Sequence, residues 1–428
     1  MANYVKKDAE DDECHTSNRE RNTGNWQNIK AVGRGANKTS IYTMAKLALF
    51  GFMLLALSTP TLAQRKIVCY ISSWSVYRPG NGFFNTSFVD PYLCTHLIYA
   101  FIGAHPNGSV KIIDKSADIS QNGFTKINKL REINPSLVTM VSLGGWNEGS
   151  TTFSTICNDT SVRTTFVNNL YEFVVEYKFK GLDLDWEYPA QRGGIPADKA
   201  NYVSLIKELR AKFAPAGLLL SAAVSASASA TSTSYDVPAL SANLDFINLM
   251  TYVFHAAREG KTGQNSPLYA SSIDTDKRYN TNATVQNWIK SGADPTKLIL
   301  GIPLYGQTYT LSSSSSTELG ATVKGPGTPG PWSRQAGVFM YSEICSSMKN
   351  QSDWTEVWDE EQAVPYAYRS DQWVGYDNMK SIGMKSKYAL DQGLGGVLVW
   401  SLDMDDFRNL CGAGKFPLVT AIKANLVV

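Results

Sequence analysis

Three carboxyl groups occupy alternate positions of one short segment, at Asp183, Asp185 and Glu187. Side chains alternate between the faces of a β-strand, so a strand here would direct all three carboxyl groups to one face. Because like charges repel, folding requires hydrogen bonds to some of these groups or a proton on one of them near neutral pH. A carboxylic acid kept protonated beside ionised partners is what acid-catalysed glycoside cleavage needs. A solvated acidic edge strand is the alternative, but such strands rarely place Leu184 and Trp186 between the acids.

Length and composition are those of a large enzyme domain. The chain has 428 residues, of which 43% are hydrophobic and 18% are charged, and a single α/β barrel of this length is ordinary. A net charge of +2 gives no reason to expect nucleic acid or an anionic membrane as a partner. The four His are scattered without metal-ligand spacing, so no metal or other cofactor is expected.

A secretory signal is predicted from Met44 to Ala63. A basic start precedes the apolar run 47–57, and small residues stand at positions −3 and −1 of a cut after Ala63. The run is too short to span a bilayer comfortably, although a signal anchor is the alternative. Residues 1–43 have no helical or strand periodicity and are expected to be disordered, or to be upstream sequence that the native protein lacks. The mature protein, residues 64–428, is therefore expected to be extracellular.

Secretion permits disulfides among the five cysteines that follow the signal. Cys69 lies in the first predicted strand and Cys94 just before the second, so neighbouring strands could bring them together. Cys345 and Cys411 flank the C-terminal region and are predicted as the second pair, which leaves Cys157 as a buried thiol. Sequence alone leaves other pairings open. Sequons also predict glycosylation at Asn85, Asn107, Asn158, Asn282 and Asn350.

Apolar, β-rich runs recur along the chain with helical segments between them. Eight strands are predicted, at 66–74, 96–102, 137–145, 181–187, 218–226, 246–252, 298–306 and 395–403. Helical periodicity marks 161–177 and 198–213. Near-continuous apolar strands are typical of a parallel sheet buried on both faces, and eight of them with intervening helices predict a (β/α)8 TIM barrel. About 90 residues separate the last two strands, which is too long for one crossover, so an α+β insertion is predicted at 306–378.

Functional side chains of such a barrel lie at the carboxyl ends of the strands. Glu187 falls at the predicted end of strand four. Further residues at or near strand ends are Trp146, Met250, Tyr252, Tyr305 and Trp400. A single aromatic residue is more often part of a core. Aromatic rings at several strand ends of one barrel instead favour a sugar site, because sugar rings present apolar C–H faces that match indole and phenol rings.

Four motifs make the chain similar to a known family. They are Ser-Leu-Gly-Gly-Trp at 142–146, Gly-Leu-Asp-Leu-Asp-Trp-Glu-Tyr-Pro at 181–189, Met-Thr-Tyr at 250–252 and Gly-Val-Leu-Val-Trp at 396–400. From about residue 66 onward the chain resembles the family-18 glycoside hydrolases, specifically the secreted animal chitinases and their chitinase-like lectin relatives. The resemblance implies a (β/α)8 barrel with an α+β domain inserted after strand seven, in agreement with the strand count.

The resemblance also implies a reaction. Glu187 would protonate the bridging oxygen while the N-acetyl oxygen of the substrate attacks the anomeric carbon, a substrate-assisted route to net retention. Asp185 would hold the acetamido N–H, and Asp183 would hydrogen-bond Asp185. Tyr252 would hydrogen-bond the acetamido group. The implied ligand is chitin or a chitooligosaccharide, and the residues implied to bind it are Tyr70, Trp74, Phe101, Gly145, Trp146, Met250, Tyr305 and, as the floor of the −1 sugar site, Trp400.

Several positions depart from the family pattern. Val253 and Gln307 stand where the family has Asp and Arg. Arg258 replaces a substrate-stacking Trp, Ala256 replaces Gly, and Lys180 replaces an acid. Losing Asp and Arg together is physically coherent, since losing one partner alone would strand a charge. Loss of one preorganised polar group near developing charge typically costs about 10²–10³ in rate.

These observations leave several functions open. The leading hypothesis is a secreted, monomeric endochitinase with reduced turnover. A chitin-binding lectin with little hydrolysis is favoured by the departures and disfavoured by the intact acids. A non-enzymatic growth or signalling factor has no positive support in the sequence. An endoglycosidase acting on N-glycans would share the acidic motif but fits the inserted lobe less well.

Overall fold

The computed structural model describes residues 65–426. The predicted upstream segment 1–43 and the predicted signal 44–63 lie outside the described residues. None of the helices within 65–426 combines the length and the apolar character that a bilayer crossing needs.

Fifteen strands lie within the described residues. In chain order they are β1 (Lys66–Ser72), β2 (His96–Ala104), β3 (Val110–Ile112), β4 (Val138–Gly144), β5 (Gly181–Asp185), β6 (Leu219–Ser225), β7 (Phe246–Met250), β8 (Leu298–Pro303), β9 (Tyr305–Leu311), β10 (Val323–Pro326), β11 (Val338–Met340), β12 (Thr355–Asp359), β13 (Val364–Arg369), β14 (Gln372–Gly375) and β15 (Gly396–Trp400).

Eight of these strands close into a parallel barrel. Their order is β1, β15, β8, β7, β6, β5, β4, β2, and β2 pairs in turn with β1. The short β3 is an antiparallel partner of β2 at the rim. The predicted (β/α)8 barrel is confirmed, and its closure places the carboxyl ends of all eight strands around one opening.

Ten α-helices lie within residues 65–426, and all but α8, which belongs to the segment between the last two barrel strands, surround the barrel. They are α1 (Gly123–Ile133), α2 (Thr151–Asn158), α3 (Thr160–Glu176), α4 (Asp198–Phe213), α5 (Ala228–Ser234), α6 (Val237–Asn243), α7 (Thr281–Lys290), α8 (Tyr341–Asn350), α9 (Met379–Asp391) and α10 (Pro417–Leu426). The helix predicted at 198–213 has these bounds. The one predicted at 161–177 begins and ends one residue earlier, because the Asp159 side chain accepts hydrogen bonds from the N–H groups of Ser161 and Val162 and so caps the helix.

Both faces of the barrel strands are buried, as their apolar sequences predict. One cluster lies inside the barrel and consists of Val68, Tyr70, Ile98, Ala100, Met140, Phe246, Ile299 and Leu398. A larger cluster lies between the strands and the helices. The interior is therefore a packed core, and side chains at the carboxyl ends of the strands form the floor of the opening above it.

A second sheet is built from the segment between the last two barrel strands. Strands β9 to β14 form an antiparallel sheet in the order β10, β9, β14, β13, β12, with β11 also pairing with β9. Helix α8 lies within the same segment. Residues of β9 and β11 line the cleft above the barrel, so this α+β layer forms one of its walls.

The predicted strand 298–306 is wrong at its end. The barrel strand stops at Pro303, whose ring nitrogen cannot donate to a ladder. Leu304 N–H then bonds Trp400 O over 2.8 Å, and Tyr305 begins β9 of the second sheet. Tyr305 therefore opens the inserted layer instead of ending a barrel strand.

Other predicted strands are too long by a few residues. Strand β5 ends at Asp185, so Glu187 lies two residues beyond the ladder. Strand β7 likewise ends at Met250, two residues before Tyr252. Strand β4 ends at Gly144, which has a φ of +115° and turns the chain away from the sheet. The apolar pattern continues past each ladder because these residues are still buried in the cleft floor.

Both predicted cysteine pairs form disulfides. Cys69 lies in β1 and Cys94 just before the adjacent β2, and their Cα atoms are 6.2 Å apart. Cys345 and Cys411 are joined over a Cα separation of 5.7 Å, and within residues 65–426 Cys157 is a buried thiol that forms no disulfide. A carboxylate oxygen of Asp406 and the sulfur atoms of Cys345 and Cys411 lie within 4.8 Å of one another, but the two sulfurs are already bonded to each other. This group therefore offers no thiolate to a metal ion.

Candidate active site

Asp183 is the deepest of the three acids and is surrounded by donors. Its side chain is completely buried inside the barrel. The hydroxyl groups of Tyr70 and Ser142 each donate to Oδ2 over 2.8 Å. Ser221 Oγ donates to Oδ1 over 2.6 Å, and Asn248 Nδ2 donates to the same oxygen over 3.1 Å. Burial raises the pKa of Asp183, and these four donors oppose that rise because they favour the ionised form.

Asp185 and Glu187 lie above it, at and just beyond the end of β5. Both are buried, with Glu187 the more accessible at 8% exposed against 3% for Asp185. Burial, followed by the charges of Glu187 and Asp183, holds the pKa of Asp185 well above its usual range. Burial also raises the pKa of Glu187. The pair therefore retains a proton at a pH where isolated carboxyl groups would have lost it.

One oxygen of Asp185 has no hydrogen-bond partner. Among the described residues, no donor reaches Asp185 Oδ1, although the atom is buried. A buried acceptor without a partner costs free energy unless a ligand or water satisfies it. This atom is therefore available to an N–H group of a ligand placed in the cleft.

Aromatic rings form the floor beside the acids. Trp400 ends β15 and lies 5.4 Å from the Tyr70 ring and 5.6 Å from the Phe101 ring, between ring centroids. Trp74 stacks on Phe101 at 6.0 Å and is 40% exposed, so one of its faces is open to the cleft. Three nearly continuous rings thus offer the apolar surface that a sugar chain needs.

Gly145 is required by close packing. Its φ is +83°, and a Cβ at this position would lie 2.6 Å from the Phe101 ring. The absence of a side chain lets Phe101 lie against the backbone at the end of β4. The sequence-based assignment of Gly145 to the site is thus explained by packing of the aromatic floor.

The opposite wall carries two tyrosines. The rings of Tyr252 and Tyr305 are 6.3 Å apart, between centroids, and both line the cleft. Burial raises the pKa of Tyr252 well above its ordinary value, so its hydroxyl remains a hydrogen-bond donor throughout the physiological range. Met250, at the end of β7, lines the same cleft.

Arg192 is part of the site and was not predicted from the sequence. Its guanidinium lies 3.5 Å from the centroid of the Trp146 ring. Nη1 donates to Glu187 O and Nη2 to Trp146 O, each over 2.8 Å. Burial raises the pKa of Glu187. A hydrogen bond from Tyr188 and, to a smaller extent, the positive charge of Arg192 oppose that rise. Trp146 itself is 58% exposed, with one face covered by this cation.

Two of the four donors to Asp183 were also missed by sequence reasoning. Ser142 belongs to a recognised motif, but Ser221 and Asn248 were not singled out. Both are polar residues in largely apolar barrel strands. Ser221 of β6 lies opposite Asp183 of β5, and Asn248 of β7 lies opposite Ala223 of β6. Polar residues at inward positions of neighbouring strands are the signal that would have identified them.

The departures from the family pattern fall into two groups. Val253, Arg258 and Gln307 line the cleft, which has a volume of about 1590 Å³. Val253 has a φ of +57°, a region that β-branched residues rarely adopt. Lys180 is exposed at the start of β5 and does not line the cleft.

Comparison with known proteins identifies the family. The model of "Glycosyl hydrolases family 18" matches residues 66–405. An endochitinase of Manduca sexta is 38% identical over 394 residues, covering 89% of this chain and 71% of that protein. The structure of Ostrinia furnacalis Group IV chitinase in complex with allosamidin superposes with a TM-score of 0.83 at 39% identity, covering 85% of this chain and 98% of that one. Human YKL-39, described as a pseudo-chitinase with retained chitooligosaccharide binding, superposes with a TM-score of 0.79 at 37% identity over 85% of this chain and 99% of that one. This chain belongs to family 18 of the glycosyl hydrolases.

Proposed function

We propose that this protein is a chitinase that cleaves β-1,4 linkages between N-acetylglucosamine units by a substrate-assisted, retaining reaction. The observation that carries the proposal is that Asp185 Oδ1, beside Glu187, is buried and meets no hydrogen-bond donor among residues 65–426. An acetamido N–H of the substrate would satisfy this acceptor and hold its carbonyl oxygen toward the anomeric carbon. The chitinase relatives, and the solved chitinase with allosamidin, support the same substrate class.

The burial and the pKa shifts of the three acids support the roles that we assign to them. Glu187 is the acid nearest to solvent, and burial raises its pKa, so it is the group that donates a proton to the leaving oxygen. Asp183 is completely buried and is fixed by four hydrogen-bond donors, so it is not placed to protonate a substrate. Asp185 carries negative charge as the acetamido group becomes positive, which stabilises the transition state. Tyr252 orients the same acetamido group from the opposite wall.

The aromatic floor supports a polymeric sugar substrate. Trp400, Phe101 and Trp74 form a run of rings with consecutive centroid distances of 5.6 and 6.0 Å. Trp146 lines the same cleft and offers a further ring that is 58% exposed. A cleft with aromatic surface beyond the acids suits a substrate longer than one sugar.

Binding of chitooligosaccharides with little hydrolysis is the second candidate. The observation in its favour is that Val253 and Gln307 line the cleft without the charges of the family pattern. A relative described as a pseudo-chitinase shows that the family includes proteins of this kind. The intact group of Asp183, Asp185 and Glu187 favours hydrolysis.

Secretion and a monomeric state are part of the proposal. Two disulfides support an oxidising compartment. We propose that the mature chain begins at Gln64, after removal of the signal 44–63. Mass spectrometry of the secreted protein tests this, and peptides from 1–43 on the mature protein would contradict it. Sedimentation measures the oligomeric state.

Replacing Glu187 by Gln tests the catalytic proposal. The amide keeps the shape of the side chain but cannot act as a proton donor, so hydrolysis of a fluorogenic chitobioside should fall by more than about 100-fold. Binding of a chitin tetramer should change little. Glu208→Gln is the matched control, because Glu208 pairs with Arg163 on the outer helices and should leave turnover unchanged. Turnover of Glu187→Gln within tenfold of the parent would place the proton donor elsewhere.

A further inference from the structure

The two residues on either side of Glu187 share one hydrogen-bond partner, Ser150. The indole N–H of Trp186 donates to Ser150 Oγ over 2.9 Å. Ser150 Oγ in turn donates to the carbonyl oxygen of Tyr188 over 2.8 Å. Ser150 is completely buried, so water does not compete for these bonds. A single hydroxyl group therefore holds the chain immediately before and immediately after the acid.

Ser150 stands at the N-cap position of helix α2 but does not cap it. A Ser at this position ordinarily accepts a hydrogen bond from a backbone N–H in the first turn. No such bond is made by its side chain here, although its carbonyl oxygen does accept from Ser154 N–H over 2.8 Å. The hydroxyl is directed instead to the segment that carries Glu187. Helix α2 thus gives up a local contact in favour of one across the fold.

The next turn of the same helix holds the following part of the segment. Ser154 Oγ donates to Asp198 Oδ1 over 2.7 Å. Asp198 Oδ2 accepts from the backbone N–H groups of Ala190 and Ile195, over 3.2 and 2.9 Å. Two serines one turn apart therefore attach the chain after β5 to one face of α2. Of the two, Ser150 acts on the residues adjacent to the acid.

Packing alone would not orient this segment. The Trp186 ring lies 5.4 Å from Phe153 and 5.5 Å from Tyr202, between centroids. These apolar contacts hold the ring in place but provide no directional bond to the backbone. The hydrogen bonds through Ser150 supply the direction, because they tie the indole to the carbonyl of Tyr188.

We propose that Ser150 is a positioning residue for Glu187, which fixes the direction in which the carboxyl group donates its proton. The proposal rests on the proposed function, since it assumes that Glu187 is the general acid. A general acid must lie within about 2.6–3.2 Å of the oxygen that it protonates. A displacement of about 1 Å can cost about 100-fold in rate while leaving substrate contacts elsewhere intact.

Kinetics of Ser150→Ala on a chitin tetramer test the proposal. We expect kcat to fall by about 10–100-fold, with KM within about twofold of the parent, because binding groups are not moved. Ser150→Thr retains the hydroxyl and should recover most of kcat. Ser241→Ala is the matched control, since Ser241 is also buried and its Oγ accepts a backbone N–H from Asp294 far from the cleft. The control should lose a comparable amount of stability and keep the parent kcat.

Parent-like kcat and an unchanged pH profile in Ser150→Ala would overturn the proposal. Should that variant fail to fold, Trp186→Phe removes the indole N–H and keeps an aromatic ring, and the same loss of kcat is expected. Parent-like kcat in Trp186→Phe would then reject the role of Ser150.

Failure of the proposed function would be recognised separately. If the parent protein binds the tetramer without cleaving it, the proposed hydrolysis is wrong. The position of Glu187 is then measured through its carboxyl pKa, by carbon-13 NMR with the signal assigned from Glu187→Gln. A changed titration in Ser150→Ala supports the positioning role, and an unchanged titration rejects it.

Discussion

At the scale of single residues, the charge state of the site follows from three different environments. Asp183 is buried but meets four donors, Asp185 is buried with one oxygen unpartnered, and Glu187 is the most accessible of the three. Strand β5 and the two residues after it therefore present a fixed acid, an acceptor for substrate and a proton donor. Arg192 adds a positive charge beside the donor.

Arg192→Gln should move the high-pH limb of the kcat profile to higher pH. The charge of Arg192 lowers the pKa of Glu187, so its removal lets that pKa rise. Glu187 must be protonated to act, and a higher pKa keeps it protonated as pH increases. Arg210→Gln is the control, because Arg210 pairs with Asp245 away from the cleft. A limb that stays in place or moves to lower pH would contradict this account.

Val253 and Gln307 should behave as one unit. A carboxylate introduced by Val253→Asp alone would repel Asp185 and Glu187, and Gln307→Arg alone would add an unpaired cation to the cleft. Both positions line the cleft, so the double variant should restore a compensated pair. We expect the activation free energy of the double variant, obtained from kcat/KM, to be lower by roughly 1–3 kcal/mol than the two single effects together predict.

A double-mutant cycle on a chitin tetramer measures this coupling. Asp at position 253 should also fold at least as well as Val, because its short side chain tolerates a φ of +57° better than a β-branched one. Additive effects within about 0.5 kcal/mol would show that the two positions do not communicate.

At the scale of elements, one buried lysine attaches helix α9 to two neighbouring segments. Lys385 of α9 is completely buried and donates to Asp377 over 2.7 Å and to Ser266 Oγ over 2.9 Å. Burial lowers the pKa of Lys385, and the charge of Asp377 opposes that effect. Asp377 follows β14, and Ser266 lies in the segment between β7 and α7. This one cation therefore joins the inserted layer, the helix after it and a loop of the cleft wall.

Lys385→Met should destabilise the protein strongly. It leaves the Asp377 carboxylate buried without its counter-ion, a change that typically costs about 3–5 kcal/mol in free energy of unfolding. Lys387→Met on the same helix is the matched control. Lys387 pairs with Asp391 in solvent, with side chains 72% and 53% exposed, so its loss should cost less than about 1 kcal/mol. Denaturant unfolding of the two variants measures the difference, and equal losses would contradict it.

At the scale of the whole molecule, function depends on two layers that meet at one opening. The parallel barrel supplies the acids and the aromatic floor, all from the carboxyl ends of its strands. The inserted sheet supplies a wall through Tyr305, Gln307 and Met340. Because the acids belong to the barrel and the wall to the insertion, changes in the insertion can alter binding without altering the proton donor. Gln307 of β9 is an example, since it lines the cleft from the inserted sheet while the acids of the barrel are intact.

The sequence by itself determined the barrel and its chemical centre. Apolar runs that recur between helices predict parallel strands buried on both faces. Within 181–187, the alternation of side chains along a strand places three acids on one face. These are local patterns, so they need no knowledge of the rest of the fold. The pairing of Cys69 with Cys94 was predicted from strand order, because Cys69 lies in β1 and Cys94 stands just before the adjacent β2.

Only the tertiary structure decided which distant groups act on those acids. Arg192 has a φ of +50° in the turn after β5 and donates to the carbonyl oxygen of Glu187, whereas Ser150, at the start of α2, bonds Trp186 and Tyr188 on either side of the acid. Neither residue is marked by a periodic pattern, since the contact of Arg192 depends on the shape of the turn after β5 and the contacts of Ser150 depend on how α2 packs against that turn. The placement of Tyr305 was decided in the same way, because the end of β8 depends on the bond from Leu304 to β15. Local pattern fixes the type and face of a side chain, whereas packing of the whole chain fixes its partners.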